Sequence, residues 1–206
     1  MHLNSWLAFS LIALGLVLSP GPNQAYLISR TVCQGRGAGL VSLLGVALGF
    51  VIYALLAAIG LSALIAREPR VYDVIRIVGA LYLGWLAWKA LRPGGHSPFV
   101  VTDLPFDPPS KLFLMGCLTN LLNPKAAALY LSLLPQFIDP SAGNTFAQTL
   151  ILGSTQIAIS FVANAIIVLV AGSFAGLINR RPRLARTQRW VMGCVLAALA
   201  MHLVIA

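Results

Sequence analysis

Lys125 is the residue whose position most constrains the chemistry of this chain. It sits in the stretch TNLLNPKAAAL (119–129), beside Asn120, Asn123 and Pro124, inside an otherwise apolar run. A lysine near the bilayer centre costs roughly 2.5–3.5 kcal/mol on insertion scales. Asn123 is a good N-cap and Pro124 fits a first helical position, so a fresh half-helix is predicted to start here. The N-terminus of a helix carries about half a positive charge, which opposes a lysine and favours an anion. No carboxylate lies centrally in any apolar run to pair with Lys125. A bound anion, such as a substrate carboxylate, would satisfy both the lysine and the helix end. Backbone carbonyls freed at the break, or snorkelling to an interface, are the structural alternative.

A second interruption stands in VLSPGPNQAYL (17–27), where Pro20, Gly21 and Pro22 precede Asn23 and Gln24. Proline removes an intrahelical donor and clashes with the preceding turn, and glycine adds about 1 kcal/mol of entropic cost. Ser19 or Asn23 could cap a half-helix here. Breaks in hydrocarbon free backbone N–H and C=O groups that must be buried in protein or face a wet cavity. Pro20, Gly21, Pro22 and Pro124 are therefore expected to break helices around a shared site, with non-helical backbone over about 20–23 and 120–124. There Lys125 and the half-helix ends would hold a carboxylate. Asn23, Gln24, Asn120 and Asn123 would supply neutral hydrogen bonds to an ammonium or to freed backbone. Gln156, Ser160 and Asn164 recur at i, i+4 and i+8, one helical face, and Gln156 and Asn164 are expected to line the cavity. Ser42, Gly45, Gly49 and Tyr53 share another face, where Gly45 and Gly49 suit close helix packing.

The elements that must position these groups follow from composition. The chain has 206 residues, 59% hydrophobic and 9% charged, against about 25% charged in a soluble domain. A span needs about 20 mostly apolar residues, and six candidates fit: about 5–30, 38–66, 71–91, 111–138, 145–174 and 187–206. The expected fold is an all-α integral membrane protein, one transport domain over 1–206. Its first repeat covers about 1–92, a cytoplasmic linker about 93–110, and its second repeat about 111–206. The two breaks are about half the chain apart, each in the first span of a three-span half. Three is odd, so the halves are inverted repeats, with helices 1 and 4 broken near the midplane.

Charge placement orients the chain and excludes other classes. The net charge is +9. Ten basic residues (Arg30, Arg36, Lys89, Arg92, Lys111, Arg180, Arg181, Arg183, Arg186 and Arg189) fall on one side of six spans. Arg67, Arg70 and Arg76 fall on the other. The richer side is read as cytoplasmic, with both termini outside. The run NRRPRLARTQR is then an orientation signal touching anionic lipid, and no nucleic-acid partner is expected. The start lacks the basic n-region of a cleaved signal peptide. Cys33, Cys117 and Cys194 form no disulfide framework, and His2, His96 and His202 lie at termini or in a loop, so no metal site and no cofactor are expected.

The stretches SPGPNQAYLISRTVCQGRGAGLVSLLGVALG (19–49), VGALYLGWLAWKAL (78–91), GCLTNLLNPKAAALYLSLLPQFID (116–139) and RWVMGCVLAALAMHL (189–203) resemble the LysE/RhtB family of bacterial amino-acid exporters. They touch five of the six expected spans in family order. The resemblance implies a transporter with no catalytic residues. It would expel amino acids by alternating access across the bacterial cytoplasmic membrane, without ATP and driven by the proton gradient. Many members carry Asp directly after PGP, whereas this chain has Asn23. All five acids (Glu68, Asp73, Asp103, Asp107 and Asp139) lie in loops or near span ends. That favours a neutral substrate, homoserine-, threonine- or leucine-like, over lysine or arginine. The expected partners are the amino acid, protons as coupling ion, membrane lipid and, as one open assembly, a second copy of the chain.

Two other functions are compatible with some of these features. A thiol–disulfide electron carrier of the CcdA/DsbD type also has six spans in inverted halves, with one cysteine in the first and one in the fourth. A heavy-metal exporter would need acids, histidines or cysteines clustered where this chain places Lys125. The orientation carries its own test. Cysteines introduced at Ser97 and Arg183 should be labelled by an impermeant thiol reagent only from the cytoplasmic side, and external labelling at either would reverse the topology.

Overall fold

The computed structural model describes residues 3–19, 21–67 and 106–180 without interruption, and isolated positions between 77 and 92 and between 190 and 201. Pro20, residues 93–105 and the basic cluster from Arg181 to Arg189 lie outside the described residues, and the expected third and sixth spans are described only at isolated positions. The described chain is all helical: α1 (Leu3–Leu18), α2 (Pro22–Gln34), α3 (Arg36–Arg67), α4 (Pro109–Leu121), α5 (Pro124–Ala128) and α6 (Thr145–Arg180). A π-helical turn (Leu129–Leu133) and a 3-10 turn (Leu134–Phe137) continue α5, and a second 3-10 turn (Pro140–Ala142) leads into α6. Within α3 and α6, Arg36–Gly60 and Thr145–Ala171 are long and apolar enough to cross a membrane. The pairs α1–α2 and α4 with Lys125–Phe137 reach that length too, each bent at its interruption, by 50° and 52°.

The non-helical segments are shorter than the sequence suggests. Pro22 and Pro124 already begin helices, and α4 continues through Leu121. Proline at the first helical position loses no intrahelical bond and arrives with its φ already helical. Among the described residues of the two interruptions, only Ser19, Gly21, Leu122 and Asn123 lie outside the helices. Between α2 and α3 the chain turns at Gly35, whose φ of 87° is in the left-handed region that a side chain disfavours.

The distribution of polarity is that of a protein in lipid. Leu7, Leu11, Leu44, Leu55, Leu56, Ile59, Leu114, Val162 and Ile166 are exposed, while Asn23, Gln24, Asn120, Asn123, Gln156, Ser160 and Asn164 are buried. Such a contiguous apolar exterior is foreign to soluble monomers. Beneath it, Phe9, Leu27, Leu43, Val46, Tyr130, Leu133, Leu152 and Val168 form one core. α3 packs against α4 and α6, α2 against α3 and α6, and α1 against α6. The α3–α4 approach is close because small residues face each other. A Cβ at Gly45 would strike the Phe113 carbonyl, one at Gly116 the Ser42 carbonyl, and one at Gly49 would lie 2.8 Å from Asn120 Cβ.

At one end of the bundle, a buried ion pair ties α2 to the entry of α4. Arg30 Nη1 lies 2.7 Å from Asp107 Oδ2, both side chains being more than nine-tenths buried, and Lys111 Nζ lies 2.6 Å from Asp107 Oδ1. The Asp107 N–H donates to Gln34 Oε1, and Tyr26 donates its hydroxyl to the Leu112 carbonyl. The Lys111 hydrogen bond, reinforced by the charges of Lys111 and Arg30, holds the Asp107 carboxyl below its usual range against the opposing effect of desolvation. A carboxyl whose folded pKa is depressed stabilises the fold fully above its unfolded value of about 3.9 and loses that contribution as pH falls through the folded value. Thermal unfolding in detergent should show wild type more stable than Asp107→Asn by a constant margin above about pH 5. The margin should shrink towards about pH 3; one that stays constant over that range would mean Asp107 is not ionised in the fold.

Candidate functional site

The two interruptions face one another across a single cavity. Its walls include Leu16, Val17, Gly21, Asn23 and Gln24 from the first, Asn123, Lys125, Ala126 and Leu129 from the second, Phe50 of α3, and Gln156, Ser160 and Asn164 of α6. Six of the seven residues expected to bind substrate thus meet in one place. The seventh, Asn120, is fully buried outside these walls: its Nδ2 donates to the Val46 carbonyl and so binds α4 to α3. Of the expected helix breakers, Gly21 lines the cavity, and Pro22 and Pro124 open the helices on either side of it. The free space inside is about 30 Å³, room for about two waters and too little for an amino acid.

Several of the carbonyls that the breaks release have donors elsewhere in the chain, three of them at and just past the end of α1. Leu16 O accepts from Lys125 Nζ at 2.8 Å and from the Ser19 hydroxyl at 2.8 Å, Val17 O accepts from the Gln24 side chain, and Ser19 O accepts from Lys125 Nζ at 2.7 Å. Lys125 Nζ also reaches Ser19 Oγ at 3.2 Å. At the end of α4, Leu118 O and Asn120 O accept from the backbone N–H groups of Leu122 and Asn123, and Leu121 O accepts from the Tyr53 hydroxyl at 2.8 Å. The Lys125 ammonium, with three donors, is thus placed at the negative end of α1, where a cation is favoured. Among the described residues no carboxylate pairs with it.

The two half-helix N-termini differ. Asn123 caps α5, its Oδ1 accepting from the Lys125 N–H at 3.0 Å. Gly21, at the N-cap of α2, offers no side chain, and Ser19, one of the expected caps, turns its hydroxyl back to Leu16. The other expected cap, Asn23, lies within the first turn of α2. The ammonium of Lys125 lies against this uncapped end: a Cβ on Gly21 would come within 3.1 Å of Nζ. On α6, Gln156 is spoken for at both ends, accepting from the Tyr130 hydroxyl at 2.6 Å and donating to Ser160 Oγ at 2.6 Å. Asn164 Nδ2 donates to the Ser160 carbonyl at 2.8 Å.

Leu16, Val17, Phe50, Ala126, Leu129 and Ser160 complete the walls without having been singled out as ligands from sequence. Ser160 belonged to a recognised polar stripe, so periodicity could have found it; Phe50 and Leu129 carry no signal that separates a cavity wall from core. Cys33 and Cys117 are absent from the cavity walls. Cys117 packs beneath Gly45 and Gly49 of α3.

Residues 14–206 match the family model for the LysE type translocator. A leucine efflux protein of Enterobacter sp. (strain 638) is 30% identical over 98% of this chain and 95% of its own length. One from Klebsiella pneumoniae is 29% identical over 97% and 94%. A membrane protein of Vibrio cholerae is 31% identical over 79% of this chain and 78% of its own. No solved structure matches the chain. With its apolar helices and exposed apolar side chains, this chain belongs to the LysE-type translocators, multi-pass bacterial membrane proteins that are transporters and not enzymes.

Proposed function

We propose that this protein exports amino acids across the bacterial cytoplasmic membrane by alternating access, with the substrate held between the two helix breaks. The observation that carries this reading is the convergence of Lys125, the uncapped start of α2 and several buried amides on one cavity. A zwitterion has the matching charges. Its carboxylate would engage the Lys125 ammonium and the free first-turn N–H groups of α2, displacing Lys125 in part from the α1 carbonyls. The names of the Enterobacter and Klebsiella relatives, both leucine efflux proteins, support export of a neutral aliphatic amino acid.

In this reading the whole chain is one transport unit of six spans in two inverted repeats. α1–α2 and α4 through Phe137 are the broken first and fourth spans, and α3 and α6 the second and fifth. Two features support the symmetry. The bends are 50° and 52°, and the packing is reciprocal, α3 lying on α4 of the other half while α6 lies on α1. The proton gradient is the proposed energy source, but an amide at position 23 cannot titrate, so the proton is not carried there. Lipid surrounds the unit, and a homodimer would leave the cavity within each copy.

Cells with and without the protein, challenged with toxic amino-acid analogues and dipeptides, would test the function. Protection should be confined to neutral aliphatic compounds, and the absence of protection against any class would sink the reading. Lys125→Met keeps length and suits an apolar segment, but it takes the Lys125 donor from Ser19 O and leaves Leu16 O only the Ser19 hydroxyl, at about 1–3 kcal/mol for a carbonyl left unsatisfied. It should lose export and lower thermal stability, whereas the lipid-facing Leu11→Ala should change neither. Normal efflux by Lys125→Met at equal membrane abundance would remove the lysine from the site.

A further inference from the structure

The cavity is lined by two kinds of polar atom. The donors are the Lys125 ammonium, which lies against Gly21, and the start of α2, which no side chain caps. Two acceptors are left over. Asn23 is 7% exposed and Asn164 4% exposed, both line the cavity, and the Oδ1 atom of each is buried without a hydrogen-bond partner. For Asn164 the assignment of oxygen and nitrogen is fixed by the network, because its amide nitrogen donates to the Ser160 carbonyl and the free atom is then the oxygen. The other amides differ. Asn123 and Gln156 have their oxygens engaged by Lys125 N and the Tyr130 hydroxyl, and Asn120, whose Oδ1 is also unpartnered, lies outside the cavity walls.

We infer that Asn23 Oδ1 and Asn164 Oδ1 form the subsite for the substrate's α-ammonium group, and that their neutrality confines the site to amino acids with one positive charge. This rests on the proposed export function and adds which atoms read which end of the substrate. Buried carbonyl oxygens without donors are costly, and an ammonium brings three donors. The same oxygens repel a carboxylate, which orients the zwitterion towards Lys125. A second cationic group would need a buried anion, and the cavity walls contain no acid. Beside Asn164, between α3 and α6, the wall is apolar, formed by Leu43, Val46, Phe50, Ile157 and Phe161 packed without free space, so an aliphatic side chain would enter there only by parting them.

The test compares ligands that differ by one group. Affinities of the purified protein for leucine, for 4-methylpentanoate (leucine without its amine) and for lysine would be measured with wild type, Asn164→Leu, Asn23→Ala and Asn164→Asp. Wild type should bind leucine more tightly than 4-methylpentanoate by about 10- to 150-fold, the range for a buried hydrogen bond to a charged group. Asn164→Leu should weaken leucine about 10-fold or more and leave 4-methylpentanoate unchanged, so that the preference for the amine collapses. Asn23→Ala, on a different helix, should act in the same direction and carries the test should Asn164→Leu not fold. Asn164→Asp should admit lysine. Equal losses for leucine and 4-methylpentanoate in both amide variants, or an unaltered ratio, would overturn the subsite while leaving amino-acid binding intact. No binding of leucine or lysine by wild type would overturn the export reading and the subsite together.

Discussion

A lysine ammonium surrounded by hydrocarbon keeps its charge only if oxygen atoms replace the water it has lost. Here those oxygens belong to the end of another helix. Lys125 Nζ contacts Leu16 O, Ser19 O and Ser19 Oγ, which come from a chain segment more than a hundred residues away. The dependence runs both ways. Without the break after Leu18 the carbonyls of Leu16 and Ser19 would be turned into helical bonds and closed to the lysine. Without the lysine Ser19 O would lose its donor and Leu16 O would keep only the Ser19 hydroxyl, at about 1–3 kcal/mol for a carbonyl left unsatisfied. The two interruptions therefore stabilise one another, and neither is tolerable alone.

The remaining fold can be understood as what keeps that pairing dry and in register. Glycines at 45 and 116 let α3 and α4 approach until backbone nearly meets backbone. Apolar side chains drive no association inside lipid, so small residues and specific hydrogen bonds must do so. The bonds are present: Asn120 to the Val46 carbonyl, Tyr53 to the Leu121 carbonyl, and Trp6 Nε1 to Thr155 Oγ1 at 3.0 Å. Each crosses between elements that are remote in sequence. Each also satisfies a polar group that could find no water.

Much of this was legible because membranes make exceptions conspicuous. Proline, asparagine and lysine in apolar runs cannot be incidental when each costs free energy, so type and spacing pointed to interruptions near 20–23 and 120–124, although Pro22 and Pro124 begin helices and α4 runs on through Leu121. Asn123 as cap and Pro124 as first helical residue followed from local chemistry. What could not be read is pairing over long distance. Nothing in the order of residues distinguishes Asn120, which is spent on helix packing, from Asn123, which faces the cavity. Nor does it show that Lys125 binds α1 carbonyls, since a lysine at a helix start has as much reason to await an anion. The Arg30–Asp107 pair escaped for a related reason: Arg30 was counted as an orientation signal, and its partner lies 77 residues on.

The asymmetry between the two breaks bears on how a transporter built this way could respond to cargo. The half-helix beginning at Pro124 is closed by its own Asn123 side chain, and its lysine is committed to the opposite break. The half-helix beginning at Pro22 has no side chain over its first N–H groups, and the lysine lies against it. A carboxylate arriving at Gly21 would thus meet a positive helix end and a cation already held by neutral dipoles. Carbonyl dipoles hold an ammonium less strongly than a carboxylate does, so the lysine can shift its bonds without ever standing unpaired. On the proposed reading, that exchange would loosen the tie between α1 and the second break as the cavity fills. The free space of about 30 Å³ would call for some such yielding, because an amino acid would enter only if the walls moved apart.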